Sequence, residues 1–358
     1  MEKYMNRGFT GLSNVGNSCY INSCMQLLSH TYELNEFLDG LDKTLINSNI
    51  DAVVVNEWNC LRTMMWSENC TIAPHGFIKA IRHVATQKGR DMFSGYDQND
   101  VSEFLFFIID CLHGGIKREV AMSISGNNIN GVDSLAIECY KMMQTMYKKE
   151  YSEILNIFYG ISVTQIKDFD TGEVLSRKCE SFSILSLSLP NPNPNPNPNP
   201  NQNPNPNQNP NQNLTIFDCL DLYSEDEELV GENAWFNDKT NRKQNIKKNL
   251  VFWNLPNVLI IDLKRFNNSN RKVQAIVTTP FDNVDLSRYV KGYNASSYVY
   301  ELFGTGNHSG SVYGGHYTAN IKNPNAKWYT FNDTFVTEIA ESKVINQHTY
   351  CLFYRKKS

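Results

Sequence analysis

The chain has 358 residues, 41% of them hydrophobic and 20% charged, which is typical of folded globular proteins rather than of disordered chains. Its formal charge of −4, from 33 basic and 37 acidic side chains, excludes the strongly basic surface that nucleic-acid binding normally needs. The first residues form no secretion signal, and the longest apolar stretch, 104–109, is far too short to span a bilayer. We therefore expect an intracellular protein, cytoplasmic or nuclear, without nucleic-acid or membrane partners.

Helical patterns dominate the first part of the chain. Apolar residues recur on one face at positions 20, 24, 27 and 28, and again over 101–112. Residues 191–213 are only Asn, Pro and Gln, and their closely spaced prolines prevent helix or sheet formation. Residues 190–213 are therefore predicted to be an exposed, disordered insertion, either tolerated at a surface turn or binding a partner.

Short strand patterns follow the insertion, separated by Gly, Asn and Pro turns. They cover residues 258–263, 298–303, 316–321, 328–331 and 350–354. This succession predicts an antiparallel sheet. Helices first and a sheet later predict an α+β fold rather than a doubly wound parallel sheet.

The cysteines do not form a recognisable disulfide or metal framework. Nine of them lie scattered along the chain, and no Cys-x-x-Cys pair occurs. We expect most to be reduced and buried, and we expect neither a metal nor another cofactor.

One cysteine lies where a turn rich in Gly and Asn runs into an amphipathic helix, at Cys19. A helix N-terminus favours thiolate over thiol, and its free N–H groups can receive an oxyanion. Cys19 is therefore the candidate nucleophile. The ordinary role of an intracellular cysteine is that of a small buried hydrophobe, which Cys24 fits better.

A thiolate that attacks an acyl carbon needs a base, and the base needs a group that orients it. Among seven histidines, His316 follows a Gly-Gly pair at the start of a strand. The next strand ends at Asn332 and Asp333, either of which could lie beside the imidazole. His316 is the candidate base, and His308 is its closest rival.

Five segments resemble the sequence blocks of the ubiquitin-specific proteases, a family of papain-like deubiquitinating cysteine proteases, and they occur in the family's order. The segments are 11–23 (GLSNVGNSCYINS), 98–105 (QNDVSEFL), 255–266 (LPNVLIIDLKRF), 308–310 (HSG) and 315–333, which contains GHYTA and WYTFND. The resemblance covers nearly the whole chain.

The resemblance implies a single catalytic domain over 8–357 with a fingers, palm and thumb architecture. The thumb would lie mainly in 8–150 and supply Cys19, and the fingers and palm mainly in 151–357 would supply His316. It also implies that Asn14 donates a hydrogen bond to the oxyanion. Asn332 occupies the family's third triad position, and the adjacent Asp333 is an additional candidate for that role.

The resemblance further implies substrate-binding residues. Gln98, Asp100 and Glu103 match family residues near the cleft for the extended C-terminal tail of ubiquitin, whose arginines suit acidic contacts. Asp100 and Glu103 also fit a helix capping box, and one carboxylate cannot easily cap and pair at full strength. His308, in the His-Ser-Gly block, is a further candidate for substrate contact.

The sequence departs from the family pattern at the zinc-binding positions. Many members carry two Cys-x-x-Cys pairs where this chain has residues 164–167 (TQIK) and 235–239 (WFNDK), so zinc is not expected.

The implied function is that of a deubiquitinase, which hydrolyses the peptide or isopeptide bond at the C-terminal glycine of ubiquitin. Ubiquitin and ubiquitinated proteins are the expected partners, and a monomer is expected. Two alternatives stay open: a hydrolase of another ubiquitin-like modifier, and a catalytically silent ubiquitin-binding module. A general papain-like endopeptidase would leave the segments at 98–105 and 255–266 unexplained.

Overall fold

The helices lie mainly in the first half of the chain, as the sequence predicts. The fold is that of a computed structural model, which describes residues 2–190, 214–267 and 269–357, so the insertion predicted at 190–213 lies outside the described residues except for its first residue. Within these ranges no helix is long and apolar enough to cross a membrane. The α-helices are α1 (Cys19–Ser29), α2 (Tyr32–Asp39), α3 (Asp51–Ser67), α4 (His75–Gln87), α5 (Val101–Gly114), α6 (Gly131–Tyr147), α7 (Glu153–Phe158) and α8 (Ile216–Ser224).

The strands form two larger sheets and three short pairs. The strands are β1 (Gly11–Leu12), β2 (Thr71–Ile72), β3 (Gly160–Asp168), β4 (Val174–Phe182), β5 (Ile184–Ser188), β6 (Leu214–Thr215), β7 (Glu227–Leu229), β8 (Trp235–Asn237), β9 (Arg242–Gln244), β10 (Ile246–Asn254), β11 (Val258–Lys264), β12 (Val277–Thr278), β13 (Val284–Asp285), β14 (Val299–Ser311), β15 (Gly314–Lys322), β16 (Trp328–Asn332), β17 (Phe335–Ile339) and β18 (Thr349–Lys356).

The eight-stranded sheet contains all five strands that the sequence predicts. Its order is β17-β16-β15-β14-β18-β11-β5, with β13 added beside β14. The five predicted strands pair antiparallel, as expected, and one edge strand outside that prediction, β5, pairs in parallel with β11. Parallel neighbours need a long crossover connection. Here the chain between them includes the insertion, α8 and two strands, β7 and β10, of the four-stranded sheet, whose order is β4-β3-β10-β7.

Helix α1 packs on the large sheet and carries the candidate nucleophile at its first residue. All of its residues are buried, so it is a core helix rather than a surface helix. Its approach to β14 is close, since a Cβ at Gly304 would lie 2.7 Å from a methyl carbon of Leu27. Glycine thereby lets the helix and the sheet meet at short range.

Helix α5 begins with a side-chain cap, as predicted. The Asp100 carboxylate accepts hydrogen bonds from the backbone N–H groups of Ser102, at 2.8 Å, and Glu103, at 3.1 Å. The reciprocal half of the predicted capping box is missing, because the Glu103 side chain is not bonded to the Asp100 N–H group in the described structure. Its side chain instead lines a cavity beside α5, which leaves it free for other contacts.

Candidate active site

Cys19 lies at the start of α1, and its side chain is buried, with 1% of the residue exposed. The predicted lowering of its pKa is wrong for this structure. Burial raises the pKa of the Cys19 thiol, and backbone hydrogen bonds from Tyr317, Tyr20 and Cys19 itself oppose that rise only in part. Desolvation penalises the charged thiolate more than the helix start favours it.

His316 and Asn332 lie beside each other on neighbouring strands. The Nε2 atom of His316 lies 2.7 Å from the Oδ1 atom of Asn332. Because Ala319 pairs with Phe331, Asn332 stands diagonally across from His316 on the same face of the sheet. An amide oxygen can only accept, so Nε2 carries the hydrogen and Nδ1 of the neutral ring is left as an acceptor.

Asp333 is not hydrogen-bonded to the imidazole in the described structure but holds two side-chain amides near α1. Its carboxylate accepts hydrogen bonds from Asn14 Nδ2, at 3.1 Å, and from Asn22 Nδ2, at 2.7 Å. Asp333 has a left-handed backbone conformation, with φ of 49°, in the two-residue turn between β16 and β17. From this turn its side chain bonds residues of α1 and of the loop before it rather than the imidazole.

Asn14 is fixed at both ends of its amide. Its Nδ2 donates to Asp333, and its Oδ1 accepts from the backbone N–H of Ser18 at 3.1 Å. A primary amide has two N–H groups, so one stays available to a ligand. The loop before Cys19 therefore presents an oriented amide donor next to the helix start.

His308, the rival base, is placed differently from His316. It pairs with Tyr317 across β14 and β15, so its side chain lies on the opposite face of the sheet from His316. It is 3% exposed, and its Nδ1 lies 3.2 Å from the Lys272 ammonium. Burial and then Lys272 lower the pKa of His308 to about 4, so its ring is neutral at pH 7. Its burial offers little surface for the predicted substrate contact.

Gln98 connects the cysteine helix to the histidine strand. Its Nε2 lies 3.7 Å from Cys19 Sγ and also donates to the carbonyl oxygen of Gly315. Its Oε1 accepts from the Gly315 N–H at 2.6 Å. Gly315 directly precedes His316, so Gln98 contacts Cys19 and the residue next to His316.

Asp100 and Glu103 differ in their freedom to bind a ligand. One Asp100 oxygen caps α5, and the other accepts from the Tyr350 hydroxyl at 2.6 Å. The exposed Glu103 lines a cavity of about 570 Å³ together with Asp110 and Asp262. Burial, and then the charge of Asp100, raise the pKa of Glu103. The cavity is acidic, and Glu103 has no hydrogen-bonding partner for its carboxylate in the part of the chain described.

Asn22 belongs to the site but was not identified from the sequence. It lies one helical turn after Cys19, is 2% exposed and donates to Asp333 and to the backbone oxygens of Leu12 and Ser13. A buried polar residue on the face of Cys19, within the block Cys-Tyr-Ile-Asn, was the available signal.

Residues with metal-binding potential do not cluster in the described ranges. No group of three or more His, Cys, Asp or Glu side chains there could hold a metal ion. All nine cysteines are free, and Cys60 and Cys70 are exposed. The closest sulfur pair joins α6 to β4, where Cys139 Sγ lies 3.6 Å from Cys179 Sγ.

Comparison with known proteins identifies the family. The model of the family described as ubiquitin carboxyl-terminal hydrolase matches residues 10–354, and the chain therefore belongs to the ubiquitin carboxyl-terminal hydrolase family. Human ubiquitin carboxyl-terminal hydrolase 2 is 30% identical over 363 residues, covering 98% of this chain and 56% of the human protein. Ubiquitin carboxyl-terminal hydrolase Usp2 of Drosophila melanogaster is 30% identical over 356 residues, covering 98% of this chain and 35% of the fly protein. The chain thus spans about half, or less, of these relatives.

Solved structures share the fold. One chain of the SAGA Ubp8/Sgf11/Sus1/Sgf73 DUB module bound to ubiquitin aldehyde matches with a TM-score of 0.71 at 20% identity, covering 99% of this chain and 71% of that chain. A chain of the module bound to monoubiquitin gives a TM-score of 0.69 at 21% identity, covering 100% of this chain and 71% of that chain. The predicted family and the predicted α+β fold class are confirmed.

Proposed function

We propose that the protein is a deubiquitinase in which Cys19 attacks the carbonyl carbon of the C-terminal glycine of ubiquitin. The observation that carries this proposal is the hydrogen bond of 2.7 Å between His316 and Asn332. It orients the imidazole and keeps the Nδ1 lone pair available as a base for the thiol. Cys19, at the start of the helix packed on this sheet, supplies the nucleophile.

The proposed reaction has two halves. Cys19 gives its proton to His316, and its sulfur forms a thioester with the glycine carbonyl carbon while the lysine amine leaves with that proton. Water then attacks the thioester, His316 takes a proton from the water, and the Cys19 sulfur leaves. The released products are ubiquitin with a free carboxylate and the unmodified lysine.

Asn14 is the proposed side-chain donor to the oxyanion. Its carbonyl oxygen is held by the Ser18 N–H and one amide hydrogen is held by Asp333, which leaves the second N–H group pre-oriented. Fixed donors of this kind stabilise the charge that develops on the carbonyl oxygen without reorganising during the reaction. Asp333 is therefore proposed to act through Asn14. Asn332 is proposed to act through His316.

Glu103 is the proposed acidic contact for the ubiquitin tail. The Asp100 carboxylate is occupied by the helix cap and Tyr350, whereas Glu103 faces an acidic cavity and is exposed. A partly exposed carboxylate can pair with the arginines of an extended tail. The likeness to a structure with bound ubiquitin aldehyde supports ubiquitin as the partner.

The test uses ubiquitin that carries a C-terminal fluorogenic leaving group. Wild type and Cys60→Ala, which changes an exposed cysteine, should release the fluorophore, and Cys19→Ala should not. Release by Cys19→Ala would disprove the assigned nucleophile. The same reporter on other ubiquitin-like modifiers separates ubiquitin hydrolysis from the alternative modifier specificity. Binding of ubiquitin without release of any reporter would identify a catalytically silent module.

The setting proposed for this activity is intracellular, with a monomeric enzyme acting on ubiquitinated proteins. The free state of all nine cysteines is compatible with a reducing compartment.

A further inference from the structure

The side chain of Gln98 makes its hydrogen bonds within the candidate active site, whereas a residue that serves only to bind substrate would leave its polar atoms free. Its amide oxygen accepts from the Gly315 N–H at 2.6 Å, and its amide nitrogen donates to the Gly315 carbonyl oxygen. The planar side-chain amide thus pairs with a backbone residue on both sides, as a neighbouring strand would. The two residues are 217 positions apart, so this pair joins distant parts of the chain.

Gly315 is held between Gln98 and the adjacent strand. A Cβ at this position would lie 2.2 Å from the Ser309 carbonyl oxygen and 2.4 Å from Nε2 of His308. A side chain therefore has no room at this position, and both backbone polar groups of the glycine are bonded by Gln98. Because His316 is the next residue, the position of its backbone is set by these contacts.

The same amide nitrogen faces the nucleophile. Gln98 Nε2 lies 3.7 Å from Cys19 Sγ, whereas no hydrogen bond joins Cys19 to His316 among the described residues. An NH₂ group has two hydrogens, so it can donate to Gly315 and to the sulfur at once. A donor at this place stabilises a thiolate more than a thiol.

We propose that Gln98 is a positioning residue, whose amide sets the histidine strand relative to the cysteine helix and donates to the Cys19 thiolate. This role differs from the tail contact that the sequence predicts for Gln98. It deepens the proposed function, because it assigns a residue that acts through Cys19 and His316 rather than by touching the substrate. A residue of this kind changes turnover, and a tail contact changes the Michaelis constant.

The test compares Gln98→Ala with Gln98→Glu and with Gln87→Ala, a matched change at an exposed glutamine at the end of α4. The first measurement is alkylation of Cys19 by iodoacetamide across pH, followed by mass spectrometry of the Cys19 peptide. The midpoint of this profile reports thiol acidity, and its plateau reports access. Thermal unfolding of each variant shows that it is folded.

For Gln98→Ala we expect a higher midpoint, by about half a pH unit or more, because a donor to the thiolate is lost. Gln98→Glu should raise it further, since a carboxylate replaces the donor beside the sulfur, while Gln87→Ala should match wild type. With the ubiquitin reporter, Gln98→Ala should lower kcat by about tenfold to a hundredfold and leave KM within about twofold.

Three results would overturn this role. An unchanged midpoint in Gln98→Ala would show that the amide does not act on the sulfur. An unchanged kcat would show that it does not position the pair. A raised KM with kcat retained would return Gln98 to tail binding. The alkylation profile needs no ubiquitin, so a shifted midpoint together with an inactive wild type would count against the proposed function and not against Gln98.

Discussion

Replacement of Asn332 and Asp333 one at a time should separate two roles that their adjacency in the sequence leaves mixed. Asn332→Ala removes the amide oxygen that lies 2.7 Å from His316 Nε2. Asp333→Ala removes the carboxylate that accepts from Asn14 at 3.1 Å and from Asn22 at 2.7 Å. The first change should affect the base, and the second should affect the oxyanion donor.

The size of each effect follows from the contacts that are lost. A hydrogen bond to a charged group contributes about 1.5–3 kcal/mol, so loss of the Asn332 contact to an imidazolium should lower kcat by about 10- to 150-fold. Asn14→Ala should cost about 10²- to 10³-fold, as removal of one oxyanion donor does. Asp333→Ala should cost less than Asn14→Ala, because Asn14 keeps its hydrogen bond from the Ser18 N–H.

The assay is steady-state hydrolysis of the ubiquitin reporter by single and double variants. If Asp333 acts through Asn14, adding Asp333→Ala to Asn14→Ala should cause little further loss, whereas adding Asn332→Ala should multiply the loss. The pH profile of kcat/KM should shift its acidic limb in Asn332→Ala only. Full multiplication of the Asn14 and Asp333 effects, or a shifted limb in Asp333→Ala, would refute this division of roles.

Three further predictions concern charge and redox chemistry. Glu103→Gln should raise KM for the ubiquitin reporter about fivefold, because a partly exposed ion pair contributes about 1 kcal/mol. The matched change Glu119→Gln, at another exposed glutamate, should not raise KM. Burial raises the pKa of Asp262 to about 6 from 3.8, so the folded state binds this proton more tightly and stability falls as pH rises from about 4 to 6. Asp262→Asn should therefore raise the unfolding free energy at pH 7.5 by up to about 3 kcal/mol and change it little at pH 4. Peroxide should join Cys139 to Cys179, since their sulfurs lie 3.6 Å apart and a hydrogen bond from Cys139 lowers the pKa of Cys179.

Each of these predictions has a direct measurement. Urea unfolding at pH 4 and at pH 7.5 tests Asp262→Asn. A variant destabilised by the same amount at both pH values would contradict the expected dependence of stability on the Asp262 proton. For the sulfur pair, the Cys179 thiolate takes one peroxide oxygen to become a sulfenic acid, and the Cys139 thiol then displaces water to form the disulfide. Mass spectrometry should find a cross-linked peptide in wild type and none in Cys139→Ala. Preferential oxidation of exposed Cys60 without that cross-link would contradict the expected pairing.

The sequence was most informative where one block of residues forms one local structure. The turn before Cys19 and the apolar face behind it predict a helix start, and α1 begins at that residue. The cap at Asp100 is equally local. Two consecutive strand patterns were also enough to bring the pair Asn332 and Asp333 near His316, because antiparallel neighbours in a hairpin lie side by side.

Other features depend on tertiary packing and could not be read from the sequence. Asn332 and Asp333 are adjacent, and only their hydrogen bonds in the folded structure show that Asn332 meets the imidazole while Asp333 holds Asn14 and Asn22. The acidity of Cys19 depends on how deeply α1 is buried, and the helix start alone predicted the wrong direction. The contact of Gln98 with Gly315 spans 217 positions and follows from the tertiary placement of the loop before α5 against the start of β15.

Each group of the candidate site is held by a side chain from another element. The hairpin of β16 and β17 holds Asn14 through Asp333. Gln98, in the loop before α5, contacts Cys19 and also holds the strand of His316. A catalytic pair built from two elements loses its geometry when those elements shift by even 1 Å. The ties between helix and sheet therefore matter as much as the reactive atoms, because they convert the packing of α1 on the sheet into a fixed arrangement of nucleophile, base and oxyanion donor.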